Sequence, residues 1–581
     1  MRILPLRGAP VAALALVVAL VAAMPLVAQQ SGEPSVIVAQ PASTLPLKHA
    51  PVATSSAITA GDLMTRLYIF ADDSMMGREA GTPGNVKGTD YLAGQVARMG
   101  LRPGGDNGSW FQTIPFKRRS VDAASVITID GQALRNGAEW AMVPGTPAPV
   151  GTMSFVYGGV IGDGSPRLPA ARAAGRIVVY RILPAAMGAL RDPSTYPPGL
   201  AGIALVGLDP YIGYLAQPAT ILDDPSVPST ALQHPGLLLT AAAAATALGA
   251  PLMSIAPGTI GRTGVFDVHV SSVPVESPAR NVIAILRGSD PRLAGQYVAI
   301  GAHSDHIGMT THAVDHDSIR IFDHLVRPGG AEDQARMATA TQQAEVNAAL
   351  AAWRSAHPGT ARADSIFNGA DDDGSGSVTV LEIAEQMAAL AVAPRRSILF
   401  VWHVGEEKGL LGSQYYTDHP TVPRDSIVAQ LNIDMVGRGD AWDVTGQTKE
   451  GAVVHGGPDY LQLIGSRRLS TELGDLVEAV NREGHHGLSL DYSLDANGHP
   501  MNIYCRSDHY EYARYGIPIT FFTTGGHSDY HQVTDEPQYI DYPHMARVGN
   551  LIEQVAVRVA NLDHRIVVDK AKPDPHGACQ Q

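Results

Sequence analysis

From about residue 278 the chain repeats one pattern: a short apolar run, β-branched or aromatic in part, that stops at polar residues. ARNVIAIL, YVAIGAH, RSILFVWHVG, VAQLNIDMVG and IPITFFTTGG are such runs, separated by helical and loop stretches. Runs of this length and composition are buried strands of an α/β sheet. The predicted fold class is therefore α/β, with a mixed, mostly parallel central sheet flanked by helices.

Other parts of the 581 residues read differently. Residues 1–28 have two arginines, an apolar run from Val11 to Ala23 and small residues near Ala28. That is the layout of a signal peptide, and the run is shorter than the roughly 20 residues a span needs. The expectation is an exported protein, periplasmic or secreted, without stable membrane association. Residues 29–57 read as a linker and 58–119 as the first part of the main domain, with a helix in GTDYLAGQVARMGL that stops at Gly100. Residues 120–277 alternate short β-like runs with Pro and Gly turns and hold almost no clustered His, Asp or Glu, as in a separate β-rich module. Residues 278–565 complete the main domain, and 566–581 read as a disordered tail. Within it, 309–367 (with a helix in AEDQARMATATQQAEVNAALAAWR) and 438–502 are too long for ordinary connections and are expected to be surface insertions.

The net charge of −14, with no basic run to offset it, excludes nucleic acid as a partner and does not suit anionic lipid. Cys505 and Cys579 are the two cysteines, so no thiolate metal site can form; whether they pair is open. Any metal must be held by oxygen and imidazole.

In an open α/β sheet, ligands bind outside the carboxyl ends of the strands. His303 and Asp305 follow the first of the parallel runs, Glu406 and Glu407 the next, and Asp434 stands at the end of QLNID. His527 and His531 follow ITFFTTGG, and Asp371, Asp372 and Asp373 open the helix VTVLEIAEQMAAL. An aspartate within an apolar strand is costly unless paired or metal-bound. Together these residues form a histidine–carboxylate set suited to zinc or a similar ion. The stretch DDDGSGSVTVLE also fits an EF-hand calcium loop ending at Glu382. Asn368 and Gly369 break any entering helix, however, and no second loop exists to pair with it.

The segments GAHSDHIG, GADDDGSG, GEEKGLLGSQ, NIDMVGRG and YHQVTDEP, in this order and spacing, resemble the metal-site motifs of the M28 family of zinc exopeptidases. The middle module resembles a protease-associated domain. The HExxH and GxSxG motifs of other hydrolases are absent. The resemblance implies two zinc ions per chain, bridged by Asp372, with His303 and Asp434 on one and Glu407 and His531 on the other. It implies that Glu406 is the catalytic carboxylate, that the Asp372–Asp373 peptide is cis, and that peptides are hydrolysed at their amino end. Asp305, two residues after His303, is expected to accept the imidazole N–H of His303, with Asp373 also behind the ligands. Tyr530, His527, His509 and Cys505 are candidates for lining the pocket. The same metal site would serve a carboxypeptidase or dipeptidase, for which Arg438 and Arg506 are candidate carboxylate readers. Glutaminyl cyclases and transferrin-receptor-like proteins share the scaffold but lack part of the ligand set.

Overall fold

The computed structural model describes residues 45–577 and 579–581, except 144, 165–167, 184–194, 225, 227–233, 334–335 and 359–361. The expected signal segment and residues 29–44 of the expected linker lie outside the described residues. The described chain divides into two compact units, one of residues 115–275 and one formed by residues 45–114 together with 276–575 and 579–581.

The larger unit is built on a nine-stranded mixed sheet. Its strands are β1 (Arg102–Pro103), β2 (Phe111–Ile114), β3 (Ala279–Leu286), β4 (Tyr297–His303), β5 (Ser397–His403), β6 (Ile427–Ile433), β7 (Tyr460–Ile464), β8 (Ser489–Asp491) and β9 (Ile519–Thr523). The order is β1-β3-β5-β4-β6-β9-β7-β8, with β2 also on β3. The central run β5-β4-β6-β9 is parallel, whereas β3 and β7 flank it antiparallel. Strand β2 pairs with β3 from Ile114 opposite Ala279.

Alternation along each strand sends side chains to both faces. In β5, Ile398, Phe400 and Trp402 enter one core with helices α1 (Ala60–Phe70), α5 (Gly376–Ala388) and α9 (Tyr542–Asn561). Leu399 and Val401 enter the opposite core with Tyr416 of helix α6 (Leu411–Asp418) and Tyr512 of helix α8 (His509–Ala513). This double burial explains why the runs are apolar throughout; each such side chain contributes about 1.5–3 kcal/mol. Helix α2 (Pro83–Arg98) begins five residues before the sequence signal GTDYLAG, with proline in its first turn, and the chain leaves it through Gly100 at φ +75°.

The segment 309–367 holds its own secondary structure. Strands Met309–Asp315 and Ala363–Ile366 pair antiparallel, and helices α3 (His316–Val326) and α4 (Ala340–Ala356) lie between them. Helix α4 starts well after Ala331 because Thr339 and Gln342 form a capping box there. The segment 438–502 differs from expectation: it contributes β7 and β8 to the central sheet, a hairpin of Val444–Gln447 with Val453–His455, and helix α7 (Thr471–Glu483). The run YLQLI is five residues long, too short for its pattern to reveal a strand in the sequence. The tail also differs, because Cys505 and Cys579 form a disulfide and the Tyr504 amide donates to the Gln581 side chain at 3.0 Å.

The unit of residues 115–275 has an eight-stranded mixed sheet running from Gln132–Leu134 at one edge to Trp140–Met142 at the other. A separate three-stranded sheet joins Phe116–Val121 to Ala219–Leu222 and Val270–Pro274. Apolar cores cover both faces of the larger sheet.

Candidate metal centre

Four parallel strands deliver the predicted residues to one edge of the sheet. Strand β4 ends on His303, β6 runs into Asp434, and β9 leads to the turn that carries His531. After β5 the chain turns at Gly405, with φ +77°, and presents Glu406 and Glu407. Asp372 stands in the turn that opens α5, and its peptide bond to Asp373 is cis.

Asp372 divides its carboxylate between two groups. Its Oδ1 lies 3.0 Å from His303 Nε2, and its Oδ2 lies 2.9 Å from His531 Nε2. His303 Nε2 is also 3.6 Å from Asp434 Oδ1, and His531 Nε2 is 3.1 Å from Glu407 Oε2. The five predicted ligands thus converge, with Asp372 between the two pairs. His531 adopts φ +54°, a left-handed backbone that a histidine takes only where its surroundings hold it.

The run of three aspartates is divided by task. Asp371 Oδ1 accepts from Ser375 Oγ at 2.8 Å and from the Gly437 amide at 2.7 Å. The Asp373 carboxylate accepts from the amides of His303 at 3.0 Å and Gly376 at 2.9 Å. Asp535 accepts from the amides of Asp371 and Asp372 at 3.0 and 3.1 Å. Asp373 lies close enough to His303 and Asp434 to join that group, but its oxygens are committed to backbone amides, which leaves Asp372 as the free donor. The calcium-loop reading fails on Glu382, which turns away to a buried ion pair with Arg66 of α1.

Asp305 corrects one expectation. The His303 Nδ1–H donates to the Asp305 backbone carbonyl at 3.0 Å, while the carboxylate stands 3.9 Å away. That carboxylate instead accepts from the amides of Gly405 at 2.7 Å and Glu406 at 3.3 Å, fixing the turn that presents the glutamates. Burial pushes the Asp305 carboxyl up to about 6.

Burial also raises Glu406 well above the usual carboxylate range, and Asp434 and Glu407 add to this against the pull of His303. Glu407 goes the other way: burial opposes ionisation, but His531 beside it holds the carboxyl below its usual value. Burial and neighbouring charge thus shift the two adjacent glutamates in opposite directions.

His306 is a member of the centre that the sequence did not single out. Its Nδ1 is 2.7 Å from Glu407 Oε1 and 3.8 Å from Asp372 Oδ2, with the ring edge-on to His531. Strand alternation places residue 306 opposite 303, but the chain bends once β4 ends at His303, and no spacing signals that bend. Of the pocket candidates, Tyr530 stacks on His531 with ring centroids 4.0 Å apart. His527 faces Asp371 at 3.3 Å, His509 stacks on Phe521, and Cys505 is in the disulfide.

The donor set fits a transition-metal cation. His306 Nε2 is buried without a hydrogen-bond partner, His306 Nδ1, Glu407 Oε1 and His531 Nε2 are buried in close contacts that lack hydrogen-bond geometry, and the donors are all imidazole or carboxylate. A third cluster, His316, Asp364 and Glu536, is already answered by Arg362 and Gln538 on Glu536.

The fold and this edge define an α/β protein whose clustered histidines and carboxylates could hold metal ions around Asp372. Residues 353–556 match the model of peptidase family M28. Leucine aminopeptidase 1 of Coccidioides posadasii is 30% identical over 203 residues, covering 33% of this chain and 47% of that protein. Leupeptin-inactivating enzyme 1 of Streptomyces exfoliatus is 27% identical over 178 residues, covering 30% and 33%. The chain thus spans about half or less of the length of these curated relatives. Among solved structures, an aminopeptidase from Aneurinibacillus sp. strain AM-1 is similar at 17% identity and TM-score 0.49, covering 89% of this chain and 97% of that one. A zinc aminopeptidase from Bacillus subtilis is similar at 16% identity and TM-score 0.45, covering 87% and 95%.

Proposed function

We propose that the protein is an exported di-zinc exopeptidase that releases residues from the amino end of peptides. The observation that carries this reading is the division of the Asp372 carboxylate between His303 and His531, each with a second carboxylate beside it. His303, Asp372 and Asp434 would hold one ion, and Asp372, Glu407 and His531 the other. Bound zinc supplies Lewis acidity and makes a water nucleophile available at neutral pH.

The chain's own residues supply the proton chemistry. Glu406, with its raised proton affinity, takes the proton of the attacking water and passes it to the leaving amine. Asp305 holds the amide of Glu406 so that the side chain stays beside Asp434 and Glu407. A free substrate α-amine would sit on the Asp434 side. The arginines that a carboxylate-reading site would use are already neutralised: Arg438 by Asp529 at 2.8 Å, and Arg506 by Glu332. This favours the amino-terminal reading over a carboxypeptidase or dipeptidase. Residues 1–28 are read as the export signal, and 120–277 as a protease-associated-like domain, on their sequence patterns alone.

The test is hydrolysis of aminoacyl, dipeptide and carboxyl-terminal substrates, with zinc and with a strong chelator. Aminoacyl substrates should be cleaved and the chelator should abolish cleavage. Release of carboxyl-terminal residues only, or activity indifferent to chelation, would overturn the reading.

A further inference from the structure

Gly77-Arg78-Glu79 supplies none of the proposed ligands, yet it touches three of the loops that carry them. Arg78 is 1% exposed. Its guanidinium donates to the carbonyls of Asn368 at 2.6 Å, Gly369 at 2.8 Å, Phe70 at 3.1 Å and Ser304 at 3.3 Å. The Arg78 carbonyl accepts from the His306 amide at 3.3 Å, and the Gly77 carbonyl from the Gly308 amide at 3.0 Å. Glu79 pairs with Lys408, the residue after Glu407, at 3.0 Å.

The backbone here is specialised for close approach. Met76, Gly77 and Arg78 all have positive φ, and a Cβ on Gly77 would lie 2.1 Å from the Gly308 carbonyl oxygen. Among the described residues, Arg78 has no carboxylate in ion-pair contact; its acceptors are main-chain oxygens. Taking a guanidinium out of water costs several kcal/mol unless something offsets it. Burial lowers the Arg78 pKa to about 10, and the carboxylates of Asp535, Asp372, Asp373 and Asp305 act against that fall. A buried cation that grips two ligand loops beside an acidic cluster is more than packing requires. A lysine could not replace it, because its single nitrogen cannot span carbonyls on three segments.

We propose that Arg78 is the positioning residue of the metal centre, locking the 303–306 and 368–372 loops at the spacing that lets His303 and His531 share Asp372. This rests on the di-zinc reading of the site but adds a residue that touches neither ion nor substrate. Glu79 extends the grip to the 406–408 turn.

The experiment compares wild type, Arg78→Lys and Glu79→Gln. Three quantities are measured: metal affinity by competition with a chromogenic chelator, the visible spectrum with cobalt(II), and amide hydrogen exchange of the metal-free protein. Folded Arg78→Lys should bind metal about 10–100-fold more weakly, as when a group behind a ligand is lost. It should also show a changed cobalt spectrum and faster exchange at 303–306 and 368–372. Glu79→Gln should show a smaller loss of affinity, with faster exchange at 406–408. A folded Arg78→Lys with wild-type affinity, spectrum and exchange would overturn the proposal. If that variant does not fold, Glu79→Gln decides, and unchanged affinity and exchange at 406–408 overturn it. A wild type that binds no metal would sink the zinc reading instead, and the exchange comparison alone would then decide the role of Arg78.

Discussion

Ser507 donates its hydroxyl to Asp434 Oδ2 at 2.6 Å, leaving Oδ1 to face His303. The Asn432 side chain in turn donates to Ser507 Oγ at 3.0 Å, so the carboxylate is held from behind by a two-step relay. Ser507→Ala frees Asp434 to rotate. Zinc affinity should fall about tenfold or more on that side of the centre. Isothermal titration with wild-type affinity for both ions would show that the hydroxyl does not orient the ligand.

Asp372 and His531 separate by how many ions each would hold. His531→Ala should lower the metal content by one ion, whereas Asp372→Ala should lower it by two. Elemental analysis of folded protein makes the distinction. Full occupancy in the Asp372 variant would refute the bridge and make Asp373 the next residue to replace.

The adjacent glutamates should fail in different ways. Glu406→Gln keeps the side-chain shape and every proposed ligand, so metal content should hold while the rate falls about 10²–10⁴-fold. Glu407→Gln removes an anionic ligand, so a metal should loosen and excess zinc should restore part of the activity. Metal loss in the Glu406 variant with intact metal in the Glu407 variant would reverse the assignment.

Asp323 on α3 gives a prediction about pH. Both of its carboxylate oxygens are buried without hydrogen bonds. Burial, helped by Asp529 and Asp333 and opposed by Arg327, raises its pKa to about 7. The folded state therefore holds this proton more tightly than the unfolded chain. Its contribution to stability is complete below about pH 4 and is lost as pH rises through about 7. Asp323→Asn should leave the melting temperature nearly unchanged at pH 4 and raise stability at pH 8 by about 1–3 kcal/mol. Equal effects at both pH values in calorimetry would show that ionisation of Asp323 is not the cause.

The ligand-bearing strands were legible because each is a compact apolar run that stops abruptly at a histidine or acid, as YVAIGAH does at His303. The edge then follows from the parallel order of those strands. What the sequence could not show depends on backbone atoms or on bends. Arg78 works through carbonyls, which leave no trace in residue type. The Asp305 carbonyl took the part expected of its carboxylate for the same reason. His306 reaches Glu407 through a bend just past β4, and Cys505 meets Cys579 across 74 residues that no local pattern connects.

Strands β2 and β3 pair directly, Ile114 against Ala279, with the whole β-rich unit lying between them in the chain. Where the insertion leaves the sheet and where it returns are thus one strand spacing apart, about 5 Å. To the larger sheet, the insertion is the turn of a hairpin. Because the entropy of closing a loop grows only with the logarithm of its length, a long insertion at this point costs little more than a short one. Evolution, or an engineer, could lengthen, replace or excise that unit and ask of the sheet only that the same two strands still meet.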